Sequence, residues 1–277
     1  MTAALKRMVL FAPEPETRSK LSIPAARHFK IHTQFSAGEV AHSQNLFIAV
    51  SATGLSHIAN IIKRANDIKL LRALFVRENI PPEWLPQMLS RADLRMARNI
   101  LIHANEDWQT PRRIINAWRS GAQHDLIARA STTDDSLLAV NCALECFEVS
   151  FSEIPALVRM QKKERSKLKL SESGSYIHWP QADVHLDLDA IRYATDDKWR
   201  QHCDLQKITH NKRFGQAIGI VRQKCGLEKK DIAVISDRQL RRIENEGARP
   251  SVGTLTALAQ AHKMELNAYL NEIAQHF

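Results

Sequence analysis

The segment from Phe214 to Phe277 constrains the fold most, because it contains a regular series of helix starts and stops. Ser236 and Ser251 each precede a helical pattern and are typical N-cap residues, and Gly247 is a typical helix stop. The predicted helices span residues 214–225, 228–234, 237–245, 252–262 and 265–275. This spacing predicts five short helices joined by tight turns, with the second and third especially close.

The third of these predicted helices is strongly cationic on its outer side. Leu240 and Ile243 take the inward positions, and the remaining positions are polar. The outward set contains three arginines, a glutamine and an acid: Arg238, Arg241, Arg242, Gln239 and Asp237. Arginine and glutamine side chains match the edges of guanine and adenine in the major groove. The pattern therefore favours binding to double-stranded DNA over an ordinary solvated surface.

Ordered positions across this segment extend well beyond a basic helix. They are Arg222, Gly226-Leu227, Asp231-Ile232-Ala233, Ser236, Leu240, Arg242-Ile243-Glu244, Gly247, Pro250, Thr254-Leu255 and Leu258-Ala259. In these positions the segment resembles the Cro/C1, lambda-repressor-like (XRE) helix-turn-helix family. The resemblance implies a five-helix domain whose third helix enters the major groove. The span from Gly226 to Glu244 is shorter than is usual for that family.

The resemblance also implies a role for individual residues. The residues that it places against base edges are Asp237, Arg238 and Arg242. Those that it places at phosphate contacts are Lys229, Gln239, Arg241 and Asn245. Arg222 and Glu244 are expected to form a structural ion pair that does not contact DNA.

Residues 134–195 carry a second resemblance. Short β-branched and aromatic runs flank a turn signal at Glu172-Ser173-Gly174, which predicts a hairpin within a small α+β unit. The matching positions are Leu138, Cys146-Phe147-Glu148-Val149, Ile154-Pro155-Ala156-Leu157, the run 174–180 and the run 183–187. They resemble domain of unknown function family 2442, small bacterial domains that sometimes precede a lambda-repressor-like helix-turn-helix. No chemistry is implied by this resemblance.

The first 133 residues are predicted to be mainly helical. Residues 1–35 are interpreted as an irregular arm, Leu46–Val50 as a short strand, and Leu55–Phe75 and 83–103 as amphipathic helices. The apolar faces of those two helices predict a homodimer seam. The predicted fold class is α+β multidomain. Its parts are a mainly helical module at 1–133, a small α+β domain at 134–199, and a linker with a five-helix domain at 200–277.

The formal net charge of +9 is unevenly distributed. Residues 1–133 contain 18 Lys and Arg and 10 Asp and Glu, and residues 200–277 contain 13 and 8. Residues 134–199 are acidic, with 8 Lys and Arg and 12 Asp and Glu. Two predicted helices of the N-terminal module carry six of its arginines: Arg91, Arg95 and Arg98 on one, and Arg112, Arg113 and Arg119 on the next. They form either a second nucleic-acid surface or a solvated face, since phosphate affinity needs only placed cations.

Catalytic and metal-binding patterns are weak in this sequence. His178, Asp183 and His185 lie close together, but strand-to-helix packing and capping explain them better than metal binding. There is no glycine-rich phosphate loop, paired-carboxylate signature or Ser-His-Asp order, so we expect neither a cofactor nor enzyme activity. Four cysteines do not suit a disulfide scaffold, and no apolar run is long enough to span a membrane. A cytoplasmic, nucleoid-associated location is therefore expected.

The sequence therefore predicts a DNA-binding transcription regulator that reads an operator through its C-terminal helix-turn-helix. The alternative is an antitoxin-like interaction protein that neutralises a partner through residues 1–130 and regulates its own synthesis through the tail. A third possibility is a nucleic-acid enzyme with its active site in residues 1–130.

Overall fold

The computed structural model describes residues 7–24, 28–34, 45–94, 99–232 and 235–277. The chain divides into two compact units, Met1–Thr195 and Asp196–Phe277. The first combines helices with parallel and antiparallel sheets, and the described part of the second consists of helices and turns. The architecture is therefore mixed α/β.

A five-stranded parallel sheet forms the centre of the first unit. Its strands are β1 (Met8–Phe11), β2 (Phe29–His32), β3 (Asn45–Ser51), β4 (Leu71–Glu78) and β5 (Ile100–Ala104). Their spatial order is β2-β1-β3-β4-β5, one of the two common doubly wound orders. Along β1, Met8 and Leu10 point into one hydrophobic core, and Val9 and Phe11 point into another. The sheet is therefore buried on both faces.

Helices cover the two faces of this sheet. They are α1 (Pro15–Leu21), α2 (Leu55–Asp67), α3 (Leu85–Arg91) and α4 (Gln109–Ser120). Ile114 and Ile115 of α4 join one core, whereas Leu55 and Ile62 of α2 join the other. Leu21 places α1 on the α4 side, whereas α2 and α3 both pack on the other side. The connecting helices therefore change face where the strand order reverses, as a doubly wound sheet requires.

The prediction of a mainly helical N-terminal module is wrong. The predicted helix Leu55–Phe75 is the helix α2 followed by the strand β4, and Leu71 to Phe75 belong to the strand. Strands of a parallel sheet are buried on both faces, so their apolar runs lack the period-two signal of a half-exposed strand. Such a run directly after a true amphipathic helix extends the apparent helical periodicity.

Two further N-terminal predictions also need correction. The irregular arm at 1–35 contains β1, α1 and β2, and the predicted helix 83–103 contains the short α3 and the strand β5. The apolar faces assigned to a dimer seam are internal, because Leu55, Ile58 and Ile62 of α2 and Leu85 of α3 pack in the core of their own chain. The Leu46–Val50 strand is confirmed within β3.

Two small antiparallel sheets complete the first unit. One contains β6 (Ile127–Thr132), β7 (Ser136–Asn141) and β8 (Cys146–Ser150), and the other contains β9 (Lys169–Leu170), β10 (Ile177–Trp179) and β11 (Val184–Leu186). The helices between and after them are α5 (Pro155–Val158), α6 (Lys162–Arg165) and α7 (Leu188–Thr195). Trp179, Phe151 and Leu157 lie in their shared core. The predicted hairpin around Glu172-Ser173-Gly174 is confirmed as the pairing of β9 with β10.

The second unit is an array of helices. They are α8 (Asp197–Lys224), α9 (Asp237–Glu246), α10 (Val252–Ala261) and α11 (Leu266–Ala274). The last three begin and end within one residue of their predicted bounds. The predicted first helix is continuous with the segment before it, so α8 begins at Asp197. The predicted second helix is a single 3-10 turn at Lys229–Asp231.

Close backbone contact fixes the crossing of α8 and α9. A Cβ atom at Gly215 would lie 1.9 Å from the carbonyl oxygen of Ile243, so only glycine fits at this crossing. Gly247 adopts a left-handed conformation with φ of 73° and ends α9, as its sequence position predicted. Ala217, Ile218, Val221 and other apolar residues fill the core beneath this crossing.

Candidate nucleic-acid interface

The helix α9 turns a strongly cationic face outward. The Ser236 hydroxyl caps its N-terminus by accepting a hydrogen bond from the Gln239 backbone N–H at 3.2 Å. Leu240 and Ile243 are buried in the core of the second unit. Since these two positions fix the rotation of the helix, the residues around them are exposed: Asp237, Arg238, Gln239, Arg241, Arg242 and Asn245.

A groove of about 610 Å³ runs along one side of α9. Its lining includes Arg238 and Arg242 of the helix and Arg249 of the segment after it. No carboxylate is among its described lining residues: Ser236, Arg238, Gln239, Arg242, Ile243, Ala248 and Arg249. Three guanidinium groups therefore surround one open groove. Arg249 was not among the predicted site residues, because it lies beyond the helix stop.

Arg242 has a carboxylate neighbour outside the groove lining. Its Nε atom lies 3.9 Å from Oε2 of Glu246, one helical turn further on. Both side chains are more than half exposed, so the pair contributes little. Arg242 therefore remains available to an external partner.

The pairing of Arg222 with Glu244 is present and buried. Arg222 donates from Nε to Oε1 of Glu244 at 2.7 Å and from its terminal nitrogen to Oε2 at 3.1 Å. The side chains are only 7% and 6% exposed, so water screens the pair poorly. Hydrogen bonding to Glu244 raises the pKa of Arg222 above its ordinary value. A further donation to the Leu227 carbonyl at 2.6 Å ties α8 to the segment that precedes α9.

Lys229 lies beside the same carboxylate. Its Nζ atom is 3.7 Å from Oε2 of Glu244, and its side chain is 32% exposed. The resemblance placed Lys229 at a phosphate contact, but in this fold its ammonium group already faces an internal anion. Lys229 is therefore less available to an external phosphate than the exposed Arg241.

The segment before α9 departs from the predicted helix-turn-helix. Its single turn at Lys229–Asp231 is closed by a capping box, in which the Glu228 backbone N–H donates to Oδ2 of Asp231 at 2.7 Å. Residues 233 and 234 lie outside the described part of the chain. The short span from Gly226 to Glu244 explains the difference, since it leaves room for one turn where a full helix was expected.

A second polar cluster lies in the first unit, at the carboxyl ends of the parallel strands. Arg77, at the end of β4, lies 3.6 Å from Glu14 and 3.0 Å from Glu16, and it donates to Oδ1 of Asn105 at 3.0 Å. Its side chain is only 9% exposed. This edge is where doubly wound sheets usually bind ligands. The cluster was not predicted from the sequence, because the predicted helices Leu55–Phe75 and 83–103 extended into β4 and β5.

Glu14 occupies the gap between β1 and β3, where the strand order reverses. Its carboxylate accepts hydrogen bonds from the Ser51 backbone N–H at 3.0 and 3.1 Å, from the Ser51 hydroxyl and from the Thr17 hydroxyl. Burial alone would raise the pKa of Glu14, but these hydrogen bonds and the charge of Arg77 outweigh burial and lower it. The carboxylate thus fills the position that an external anion would need.

The N-terminal arginines mainly make internal contacts. Arg112 donates to the Lys20 carbonyl at 2.9 Å, and Arg113 donates to the Glu172 and Ala128 carbonyls at 3.1 and 2.7 Å. The guanidinium of Arg119 lies 5.6 Å from the centre of the Phe29 ring. Arg95 and Arg98 lie outside the described residues. Arg112, Arg113 and Arg119 are thus held by their own chain, which supports neither a second nucleic-acid surface nor a merely solvated face.

For His178, Asp183 and His185 the sequence favoured packing and capping over metal binding. Within the described ranges, no group of three or more His, Cys, Asp or Glu residues is placed to hold a metal ion. His178 and His185 do lie together, with ring centroids 4.8 Å apart, on the paired strands β10 and β11. Asp183 lies in the turn between these strands and adopts a positive φ of 50°.

Comparison with known proteins identifies one part of the chain. The family described as Protein of unknown function (DUF2442) matches residues 130–195. This match confirms the resemblance inferred for the middle of the chain. No helix-turn-helix family supports the C-terminal resemblance. No curated protein and no solved structure matches the chain.

The DUF2442 domain covers the second half of β6 and all elements from β7 to α7. Its matched range therefore begins inside the first antiparallel sheet and ends where the first compact unit ends. In the part of the chain that the structure describes, no helix is long and apolar enough to cross a membrane.

Proposed function

We propose that the protein is a sequence-specific DNA-binding transcription regulator that reads an operator through α9. The observation that carries this proposal is the groove along α9, which is lined by Arg238, Arg242 and Arg249 and has no carboxylate among its described lining residues. Guanidinium groups in an exposed helical groove suit the O6 and N7 acceptors of guanine. In a cell such a protein would be found at the nucleoid.

The roles of the individual residues follow from their positions on the helix. Arg238 and Arg242, with Asp237 beside them, would face base edges. Gln239, Arg241 and Asn245 are exposed nearby and would contact phosphates, with a smaller contribution from Lys229. Phosphate contacts fix the position of a protein on the duplex, whereas base contacts select the sequence. Substitution of a base-facing residue should therefore reduce specificity, whereas substitution of a phosphate-facing residue should weaken binding to all sequences.

We also propose that the protein acts as a homodimer on two half-sites, because one such helix contacts only a few base pairs. The apolar faces of α2 and α3 are used within the chain, so the dimer surface must lie elsewhere.

The experiment begins with the full chain and selection of bound duplexes from a random pool. Arg238→Ala and Arg242→Ala should each weaken binding to the selected site by about 1–3 kcal/mol and relax specificity at one base position. Arg241→Ala should weaken selected and random DNA alike and make the salt dependence of binding shallower.

The matched control is Lys263→Ala, which removes a cation from the same unit outside the groove. It should leave affinity for the selected site within about 0.5 kcal/mol of the wild-type value. If the pool yields no preferred sequence, or if the groove variants bind as the control does, the proposed function is wrong.

A further inference from the structure

The antiparallel pair of strands β10 and β11 in the first unit brings two histidines face to face. On the antiparallel strands β10 and β11, His178 is directly opposite His185. Ile177, Trp179 and Leu186 point into the core, so alternation along the strands places both histidines on the outer face. Their rings are stacked at 4.8 Å with only 13° between their planes.

The ring nitrogens of His178 and His185 have no partner in the part of the chain that the structure describes. Among the described residues, no group hydrogen-bonds or forms an ion pair with His178 or His185. Other histidines differ: His103 and His262 contact backbone carbonyls, and His124 contacts Glu145. The neighbouring Tyr176 ring, centred 5.2 Å from that of His185, makes a ring contact only. Both imidazoles therefore keep a lone pair for an external ligand.

Opposed positions on one sheet face suit chelation. Directly paired residues have Cβ atoms about 4.5–5.5 Å apart, which is close enough for two imidazoles to share one ion. Because lone pairs lie in the ring planes, the stacked rings must rotate about their side-chain bonds to converge on it. Imidazole nitrogens prefer copper, nickel and zinc among the divalent ions, with copper bound most tightly. The surrounding residues 134–199 hold 12 acids against 8 Lys and Arg, which favours a cation over a polyanion at this surface.

We propose that His178 and His185 together bind one divalent transition-metal ion, with Cu²⁺ preferred. Each ring supplies one nitrogen, and water completes the coordination. The site is open to solvent and is independent of the DNA-binding proposal, because it uses no residue of the second unit.

The test uses the full chain with aqueous Cu²⁺ as the probe, followed by calorimetry and electron paramagnetic resonance. Four proteins are compared: wild type, His178→Ala, His185→Ala and the double variant. The control is His57→Ala, which removes a single exposed histidine of α2. Circular dichroism verifies that each variant is folded.

If both histidines bind one ion, their substitutions should have non-additive effects on the Cu²⁺ affinity. Either single substitution should weaken the affinity by on the order of a hundredfold, because the second nitrogen acts at a high effective concentration. The affinity of the double variant for Cu²⁺ should be at most a few fold lower than that of the weaker-binding single variant. The resonance spectrum of the wild type should show coupling to two nitrogens, and that of each single variant should not.

The control His57→Ala should retain the wild-type affinity and spectrum. Unchanged affinity in both single variants would overturn the proposal. Independent, additive losses in the two variants would also overturn it, because they would indicate two separate single-histidine sites.

Discussion

Arg77 in the first unit and Arg238 in the second show how differently one fold can use the same side chain. Arg77 is enclosed at the end of β4, where its two terminal nitrogens face Glu14, Glu16 and Asn105. Arg238 faces an open groove whose described lining contains no carboxylate. The first arginine therefore holds its own domain together, and the second is free for a partner. Net charge alone would count them equally.

A similar contrast exists within the second unit. Arg222 is buried against Glu244, whereas Arg242 pairs with Glu246 at the surface. Both pairs combine an arginine with a glutamate, but only the buried one is shielded from water. Three predictions test how burial changes the contribution of a charged group, in order of decreasing expected effect.

The largest effect is expected at the buried pair. Glu244→Ala leaves the Arg222 guanidinium buried and unpaired, which should lower the free energy of unfolding of the second unit by about 3–5 kcal/mol. Hydrogen exchange of the α9 amides, followed by mass spectrometry, reports on this unit within the full chain. The matched control Glu246→Ala removes an exposed partner and should change stability by less than about 0.5 kcal/mol. Equal effects of the two variants would contradict the contrast.

An intermediate effect is expected at Arg77. Arg77→Ala removes a buried cation from Glu14 and Glu16, and the lost charged hydrogen bonds should cost about 2 kcal/mol. The control Arg64→Ala removes an exposed arginine of α2 and should be close to neutral. Adding Glu14→Gln to Arg77→Ala should cost less than the sum of the two single changes, because the two groups interact. Strict additivity in denaturant unfolding would indicate that they do not.

The smallest effect is a dependence of stability on pH. Burial lowers the pKa of His103 below its ordinary value of 6.5. Since the unfolded chain then binds the proton more readily, His103 contributes stability above pH 6.5 that is lost as the pH falls. Glu14, with a pKa below its ordinary value of 4.5, contributes stability that is lost only below that pH. As the pH is lowered, the melting temperature of the first unit should therefore fall in two steps, one that starts near pH 6.5 and one that starts near pH 4.5.

His103→Gln separates these two ranges. In that variant the decline that starts near pH 6.5 should disappear, while the decline that starts near pH 4.5 remains. A melting curve that keeps the upper decline would assign it to another group.

The sequence by itself determined the bounds of α9, α10 and α11 in the second unit, but neither the start of α8 nor the single turn before α9. Ser236, Gly247 and Ser251 act through their immediate neighbours, so the bounds of α9 and α10 were predictable. Arg222 and Glu244 were matched through the resemblance to a helix-turn-helix domain. The DUF2442 region was likewise recognisable from its own ordered residues. In these cases the decisive signals are short-range or follow a linear pattern.

Tertiary structure alone decided the rest. Apolar runs such as Leu71–Val76 are compatible with a buried strand or a buried helix, and only pairing with β3 and β5 selects the strand. That pairing brings Glu14, Ser51 and Arg77 together from three separate strand ends, which no spacing in the sequence predicts. It also decides which cations are neutralised within the chain. A linear sequence specifies how many charges exist, but their availability depends on neighbours that only folding supplies.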